Sequence, residues 1–504
     1  MSLSGWGRSR MRKGRNELAS QQLEIELKLE VNPRDASRLQ ASLPETLARG
    51  DRQVLDSIYF DTDKQELRKA GFSLRIRRIG TRHVQTLKAD SRAGAGLFAR
   101  DEWERDIRGH RPVLDDEVAM LRPFVSSQAL ARLRPVFRTV VQRTVLNATG
   151  GGSQVEIAID QGDIRSGRRK RPICEVELEL KQGQPALLFE LARQINAIAP
   201  TQIGVQSKSE RGYNLAGSQQ ACAIKAGPVP LTAEMTSADA LQSIAQSCIR
   251  HFRMNEAIFS TRDDADALHQ CRVALRRLRS ALTLFKPMLR DERYEALRAE
   301  VKWMAATLGV ARNIDVFTDN LKDQPIPRTL RSARKDSYAK ARAALDSPRW
   351  REFMLEFVEW LAIGRWSTQP DDVSLLKEPI KHRATYILDR FLKRLKRRGR
   401  HLATLDDQAR HRVRVEAKKL RYAAEFFAAL FSGKAEKRRK AFGQAIEAML
   451  DSLGELNDLT IASTLRSDLA LPQDDAQTRR MRKRLLKKAA RQYDTLLDLK
   501  PFWR

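Results

Sequence analysis

Cysteine is scarce and scattered in this 504-residue chain. The four present, Cys174, Cys222, Cys248 and Cys271, form no C-x-x-C pair, which argues against a zinc knuckle and against a dense disulfide framework. That usage fits a reducing compartment, and a cytoplasmic protein is expected. Long apolar runs are missing too. The oiliest stretch, AAEFFAALF at residues 423–431, is far below the roughly 18 apolar residues that a membrane span needs. The opening MSLSGWGRSRMRKGRNELAS has neither an apolar core nor a small-residue cleavage site, so residues 1–20 read as a basic disordered tail rather than a secretion signal.

Acid is in short supply relative to base. Lys plus Arg number 93 against 63 Asp plus Glu, a net charge of +30. Such a field attracts polyanions, whether nucleic acid, an anionic membrane surface or a phosphate-rich ligand, and composition does not choose among them. The hydrophobic content of 42% is ordinary for a globular protein, and the length allows two or three domains.

The pattern changes once along the chain. Residues 21–216 show mostly period-two alternation, as in SLRIRRI (73–79), HVQTLKA (83–89) and QVEIAID (154–160), with two helices expected near 33–43 and 185–198, each opened by a proline. This half reads as an α+β domain built on an antiparallel sheet. Residues 217–237 carry small residues and two prolines without a period and read as a linker. From 238 to 504 the periods are helical, and the segment repeats itself. HQCRVALRRLR from His269 and HRVRVEAKKLR from His411 both follow H-x-x-R-V-x-x-[RK]-[RK]-L-R, and LGVARNIDV and LGELNDLTI follow them by 39 and 42 residues. A duplication, and so two matching helical bundles related by pseudo-symmetry, is expected.

Several strands carry charge on every second residue. EIELKLE places Glu24, Glu26, Lys28 and Glu30 on one face and Ile25, Leu27 and Leu29 on the other, and CEVELELK repeats the design with Glu175, Glu177, Glu179 and Lys181. Between them lie Arg75, Arg77, Lys88, Glu102 and Glu104 at the same period. A closed sheet with a polar lumen sorts side chains this way, oily ones outward and ions inward. Glutamates can hold a hard divalent cation while arginine and lysine meet phosphate oxygens.

These motifs resemble those of the CYTH domains, or triphosphate tunnel metalloenzymes, whose signature E-x-E-x-K is here Glu24, Glu26 and Lys28. The resemblance runs from Gln21 to Leu215 and keeps the order YFDT, LRIR, TLKA, R-x-E-x-E (Arg100, Glu102, Glu104), VQRT with Arg143, EIAIDQG with Glu156 and Asp160, CEVELEL and SKSERGY. It implies an antiparallel β-tunnel that acts on a triphosphate with Mg²⁺ or Mn²⁺. By the same resemblance Glu24, Glu26 and Lys28 are catalytic, and Glu24, Glu26, Glu175 and Glu177 hold metal, joined by Glu102, Glu104 and Glu156 at a second shell or second ion. Lys28, Arg75, Arg77, Lys88, Arg143 and Lys208 grip phosphate. Arg138 matches less well and reads equally as a surface charge. The motif lies some twenty residues further from the start than is usual in the family, which leaves open whether residues 1–20 are native.

In the helical half, His269, Arg272, Arg276 and Arg279 form one stripe with Leu275, Leu278 and Leu282 behind it, and His411, Arg414, Lys418 and Arg421 copy it. No acids are seen interleaved on the stripes, which favours a polyanion groove over a solvated face. Metal binding by the histidines has no support, since no second ligand sits at ligand spacing. The paired copies resemble the CHAD domain, which implies two four-helix bundles enclosing a basic surface for inorganic polyphosphate. His269, Arg272, Arg276, Arg279, His411, Arg414, Lys418, Lys419 and Arg421 are then the binding positions. Lysines replace arginines in the second copy, and Asn313 stands where the family often has Asp. The basic clusters at 393–400 and 479–488 extend this surface or form solvated faces.

The expectation is therefore an inorganic triphosphatase with a polyphosphate-binding domain, cytoplasmic and associated with polyphosphate granules. A thiamine triphosphatase, a class IV adenylate cyclase and a non-catalytic polyphosphate scaffold are the alternatives. Nucleic acid is disfavoured, because aromatics for base stacking are sparse on the basic helices. The oligomeric state is not legible.

Overall fold

In the computed structural model, residues 22–42, 48–89, 94–114, 121–217, 222–289, 291–321, 325–368, 373–469 and 475–504 are described. The alternating segments become nine antiparallel strands among them: β1 Gln22–Val31, β2 Ala48–Asp61, β3 Phe72–Ile79, β4 Arg82–Ala89, β5 Leu97–Ile107, β6 Arg134–Gly150, β7 Ser153–Ser166, β8 Arg169–Gln182 and β9 Thr201–Ile203. Their order is β5-β4-β3-β2-β6-β7-β8-β1-β9, and β1 also pairs with β5. That last pairing joins the two ends of the sheet, so the strands curl into the expected tunnel. Leu27 and Leu29 are fully buried on one face of β1 while Lys28 is buried on the other. The lumen is thus ionic and the outside oily.

Short helices plug and brace the tunnel: α1 Ala36–Ser42, α2 Glu66–Ala70, α3 Ser127–Leu130, α4 Ala186–Ile198 and α5 Lys208–Ala216. Two local devices set them. Asp61, fully buried at the end of β2, accepts from the backbone N–H of Thr62 (2.7 Å), Leu67 and Arg68 (both 3.0 Å) and from the Tyr213 hydroxyl (2.8 Å), so the YFDT motif caps α2 and ties it to α5. A Ser207–Glu210 capping box starts α5 and points its first residue, Lys208, inward. Gly212 lets α5 sit on β6, since a Cβ there would lie 2.0 Å from the Phe137 ring.

The helical half supplies α6 Ser237–Thr261, α7 Ala265–Leu284, α8 Tyr294–Asn320, α9 Arg328–Leu345, α10 Pro348–Ile363, α11 Val373–Lys377, α12 Ile380–Arg398, α13 Asp407–Phe426, α14 Lys434–Asp468 and α15 Asp475–Asp498. The chain divides into two compact units, one reaching Cys222 and also containing α10, the other holding residues 223–347 and 364–504. In the first unit α10 packs on α4 and β9 and presents buried Trp350, Phe353, Phe357 and Trp360. Arg193 on α4 is paired with Glu359. The segment 217–237, read from sequence as linker, is held to α6 of the second unit at Ile224, whose carbonyl accepts from the Asn255 side chain (2.9 Å) and whose N–H donates to it (2.9 Å).

The duplication is visible in the second unit as α6–α9 and α12–α15, which meet through α7 with α13 and α8 with α14. Equivalent caps start the two central helices. Asp264 accepts from the Ala267 N–H at 2.9 Å and Asp406 from the Ala409 N–H at 2.6 Å, each five residues before its histidine. No helix among the described residues is long and apolar enough to cross a membrane.

Candidate functional site

Register places the inward residues of β1, β8 and β7 in rows. Glu26 lies opposite Glu179 and Glu179 opposite Glu156; Lys28 lies opposite Glu177; Glu30 lies opposite Glu175 and Glu175 opposite Asp160. Glu26, Glu179, Glu156, Lys28 and Glu177 of these rows form one wall of a cavity of about 730 Å³, and Arg75, Arg77, Lys88, Glu102 and Glu104 from β3, β4 and β5 form another. Arg143 and Lys208 also line it.

Nearly every cation in the tunnel is matched to an acid. Lys28 Nζ is 2.7 Å from Glu177, 3.6 Å from Glu175 and 3.9 Å from Glu26. Arg143 clasps Asp160 at 2.6 and 2.7 Å and reaches Glu177 at 2.6 Å. Lys208 meets Asp160 at 2.7 Å and Glu177 at 2.9 Å, and pairs with Glu175, which Arg211 also holds. On the facing wall Lys88 is 2.7 Å from Glu102, and Arg75 is 3.5 Å from both Glu102 and Glu104. Arg77 is different. Its Nε donates to the Ser57 hydroxyl at 3.4 Å, and no carboxylate among the described residues lies within ion-pair distance.

Burial would discharge such groups, but the pairing reverses this. Burial penalises the Lys28 ammonium, yet Glu175, Glu177 and Glu26 outweigh it and raise its pKa. Burial likewise opposes the Glu175 carboxylate, and Arg211, Lys208 and Lys28 nevertheless bring it down to about 2. Glu104 is held at about 2 against burial by Arg75 and the Thr86 hydroxyl. Arg77, lacking a close acid, is pushed down to about 10 by burial and by its neighbours Arg75 and Arg143. It is the cation with most to gain from an incoming anion.

The carboxylates fit a hard divalent cation. Asp160, Glu175 and Glu177 each offer an oxygen within 4.8 Å of the others, and Lys208 pairs with all three. The Glu26, Glu179 and Glu156 row offers a second all-oxygen set facing the cavity. The Glu24 position lies on β1 opposite Arg100 of β5, and the side chains of both are outside the described residues. Arg138 does not enter the tunnel wall but pairs with Asp56, Nε to Oδ1 at 2.5 Å.

The helical unit holds a second cluster of opposite character. The stripes of α7 and α13 meet, and several of their cations act on one another, with Asp458 the acid acting on Arg414 and Lys418. Arg272 is pushed down to about 10 by burial, Arg276, Arg312 and Arg414. Burial with Arg312, Arg276 and Arg272 lowers His269 to about 4. Lys418 falls to about 6 through burial and through Arg276, Arg414 and Arg272, with Asp458 opposing. Nε of Arg272, Nε of Arg414 and Nδ1 of His269 are buried without hydrogen-bond partners. Gly309 of the LG repeat makes room for Arg272, since a Cβ there would lie 2.4 Å from its Nη1, whereas its counterpart Gly454 stands at ordinary contact distance from Arg414.

Other expected positions are not in this cluster. His411 is exposed. Arg279 stands further along α7, near Arg298 and Arg276. The stripes were read as free of interleaved acids, and for two residues the structure differs: Lys419 is 3.0 Å from Glu416, and Arg421 is 2.8 Å from Glu425, four residues on, and 3.9 Å from Glu447.

Residues 22–213 match the model of the CYTH domain, and residues 243–467 match that of the CHAD domain. The chain carries a CYTH domain followed by a CHAD domain. An inorganic triphosphatase of Haemophilus influenzae is 31% identical over 198 residues, 39% of this chain, and the match spans only 56% of that relative's length. An uncharacterized protein of Mycobacterium tuberculosis is 24% identical over 414 residues, 74% of this chain and 75% of its own. The crystal structure of a CHAD domain from the plant Ricinus communis covers 55% of this chain and 98% of its own at 28% identity, with a TM-score of 0.46.

Sequence reasoning missed four residues that the geometry brings forward. In the CYTH domain they are Glu179, opposite Glu26, and Arg211, the counter-ion of Glu175; in the CHAD domain they are Arg312 and Asp458. Arg312 and Asp458 were within reach of the repeat alignment. Leu308 and Leu453 start the matching motifs, so Asp458 is the counterpart of Asn313, and the acid absent from the first copy is present in the second. The two residues line one small hollow between α8 and α14.

Proposed function

We propose that the tunnel hydrolyses inorganic triphosphate with Mg²⁺ or Mn²⁺ and that the CHAD domain binds inorganic polyphosphate. The observation that carries the first reading is the cavity lining: cations on facing walls, all but Arg77 prepared to exchange a carboxylate for a phosphate oxygen. Arg75, Arg77, Lys88, Arg143, Lys208 and Lys28 hold and orient the phosphoryl oxygens, with Arg77 engaging first because no acid must be displaced. Glu26, Glu156, Glu177 and Glu179, together with Glu24, hold the metal, while Glu102 and Glu104 set the position of Arg75 and Lys88. Asp160 and Glu175 lie behind the cavity wall and fix Arg143, Lys208 and Arg211. When bound, the metal neutralises developing charge and lowers the pKa of an attacking water. Tyr59 is the single aromatic among the described lining residues, so the lining offers little for a base or a thiazolium ring to stack on. This favours an inorganic substrate over ATP or thiamine triphosphate.

The second reading rests on the facing cationic stripes, whose repulsion an extended anion would relieve. Binding there gives the enzyme a way to associate with polyphosphate granules.

The experiment is phosphate release from tripolyphosphate, ATP, thiamine triphosphate and long-chain polyphosphate, each with Mg²⁺, Mn²⁺ or EDTA. Metal-dependent release from tripolyphosphate well above the others is expected. Equal or higher turnover of ATP would overturn the substrate assignment, and no release from any of them would move the tunnel to a binding role.

A further inference from the structure

Helices α6 and α12 open the two helical copies in the same way. Thr236 bridges Pro379 where they begin, and the buried positions of α12 from Ala384 to Leu395 repeat those of α6 from Leu241 to Phe252. Beside this shared core the two helices differ. In that register His251 and Arg253 of α6 hold the places of Arg394 and Lys396 of α12. His251 is buried and meets the Ile224 carbonyl at 2.9 Å, and buried Arg253 is paired with Glu256, so this side of α6 is closed. On α12 the same side is open. Arg390, Lys393, Arg394, Lys396, Arg397 and Arg400 line a cavity of about 630 Å³, to which they are the sole contributors among the described residues. None of the six has a carboxylate of a described residue within ion-pair distance. The neighbouring acids are engaged elsewhere: Asp389 accepts from the Trp503 indole at 2.8 Å and pairs with Arg504, and Glu416 pairs with Arg398 at 3.2 Å and Lys419 at 3.0 Å. Arg394 is the anchored member, half-buried with its guanidinium 5.2 Å from the centre of the Phe391 ring.

We propose that the α12 cavity binds a compact polyphosphorylated small molecule, one that gathers several phosphate groups within reach of a single helix face. Four of the six lining cations are arginines, whose planar forks take phosphate oxygens in pairs, and the two lysines add point charges between them. The charged stretch is short and bounded. From Arg390 to Arg400 it spans about 15 Å of helix. Exposed Tyr386 and the engaged acid Asp389 stand before it, and the helix stops at Arg398, where Gly399 packs so closely on Tyr493 that a Cβ would lie 2.4 Å from the ring. A hollow of this volume and length suits a discrete ligand with concentrated charge. A long polymer would overhang it, and a flat lipid surface would leave it unfilled. The site uses none of the residues of the α7 and α13 stripes and does not rest on the polyphosphate reading. Since the six cations are confined to the second copy, they are no by-product of the duplication.

The test is isothermal titration of the full-length protein, without divalent metal, with inositol hexakisphosphate as the compact probe and with long-chain polyphosphate, duplex DNA and vesicles containing phosphatidylserine as rivals. Wild type is expected to bind the hexakisphosphate at a site that Lys393→Glu/Arg397→Glu weakens by at least about a hundredfold, since two charge-assisted contacts are lost and reversed. Both side chains are exposed, so the variant should fold. Lys335→Glu/Lys340→Glu, which makes the same change of net charge at exposed positions of α9, should bind like wild type, and this separates a site from the general field of a basic protein. Long-chain polyphosphate should still bind Lys393→Glu/Arg397→Glu. Hexakisphosphate binding that is absent, that survives in Lys393→Glu/Arg397→Glu, or that falls equally in both variants overturns the site. Tighter binding of any rival that Lys393→Glu/Arg397→Glu abolishes overturns the compact ligand and gives the face to that rival.

Discussion

The tunnel and the facing stripes of the helical unit are both crowded with arginine and lysine, but they manage the crowding in opposite ways. In the tunnel Lys28, Arg75, Lys88, Arg143 and Lys208 each touch at least one carboxylate, so most of the charge is balanced before a ligand enters. In the helical cluster Arg272, Arg276, Arg312, Arg414 and Lys418 act mostly on one another, and Asp458 is the nearby acid. A balanced site can exchange partners repeatedly with little reorganisation, which suits turnover. An unbalanced one stores repulsion that only a polyanion removes, which suits retention.

This contrast predicts opposite responses to removing a cation. Lys208→Ala should destabilise the tunnel by about 3–5 kcal/mol, because it leaves buried Asp160 and Glu175 short of counter-charge. Amide exchange in β7 and β8 reads this directly, and unchanged protection would mean that the ion network is not what holds those strands.

A smaller effect separates the two regions by pH. Glu175 and Glu104 have pKa values held near 2 against an ordinary 4.5, so their contribution is complete above 4.5 and is lost as pH falls towards 2. Lys418 stands near 6 against an ordinary 10.5. Between those values the unfolded chain binds more protons, so stability rises with pH, by up to about 1 kcal/mol per unit. Urea midpoints from pH 6 to 9 should climb for wild type relative to Lys418→Met; parallel profiles would contradict the repulsion argument.

The smallest effect concerns the tunnel's exterior. Arg138 is half exposed and shares Asp56 with Arg78. Arg138→Ala should cost about 1 kcal/mol or less and leave tripolyphosphate turnover unchanged. A large fall in turnover would return it to the list of phosphate ligands.

Much of this was legible in the sequence because side-chain alternation is local. EIELKLE and CEVELELK announce an ionic face by themselves, and the two histidine segments announce a duplication. What was not legible is which strand lies beside which. Glu179 gains its importance from standing opposite Glu26, a register between strands about 150 residues apart in the chain. Arg211 and Asp160 likewise matter through partners on other elements. Helix α10 reads as one more amphipathic helix among many, and nothing in its period indicates that it groups with the tunnel unit. Both acids were visible: Glu425 falls on the stripe itself, four residues after Arg421, and Glu416 lies off it and meets Lys419, which is off it too.

The central claim is that one chain divides two phosphate tasks between a balanced and an unbalanced cation cluster. The most direct measurement is a crossed pair of assays, tripolyphosphate hydrolysis with Mg²⁺ and polyphosphate binding, on wild type, Glu26→Gln and Arg272→Ala/Arg414→Ala. The account predicts that Glu26→Gln loses at least about a hundredfold in turnover with binding intact. The arginine pair should lose at least about tenfold in affinity with turnover intact. Undiminished turnover in Glu26→Gln, or equal affinity in the arginine variant, would contradict it.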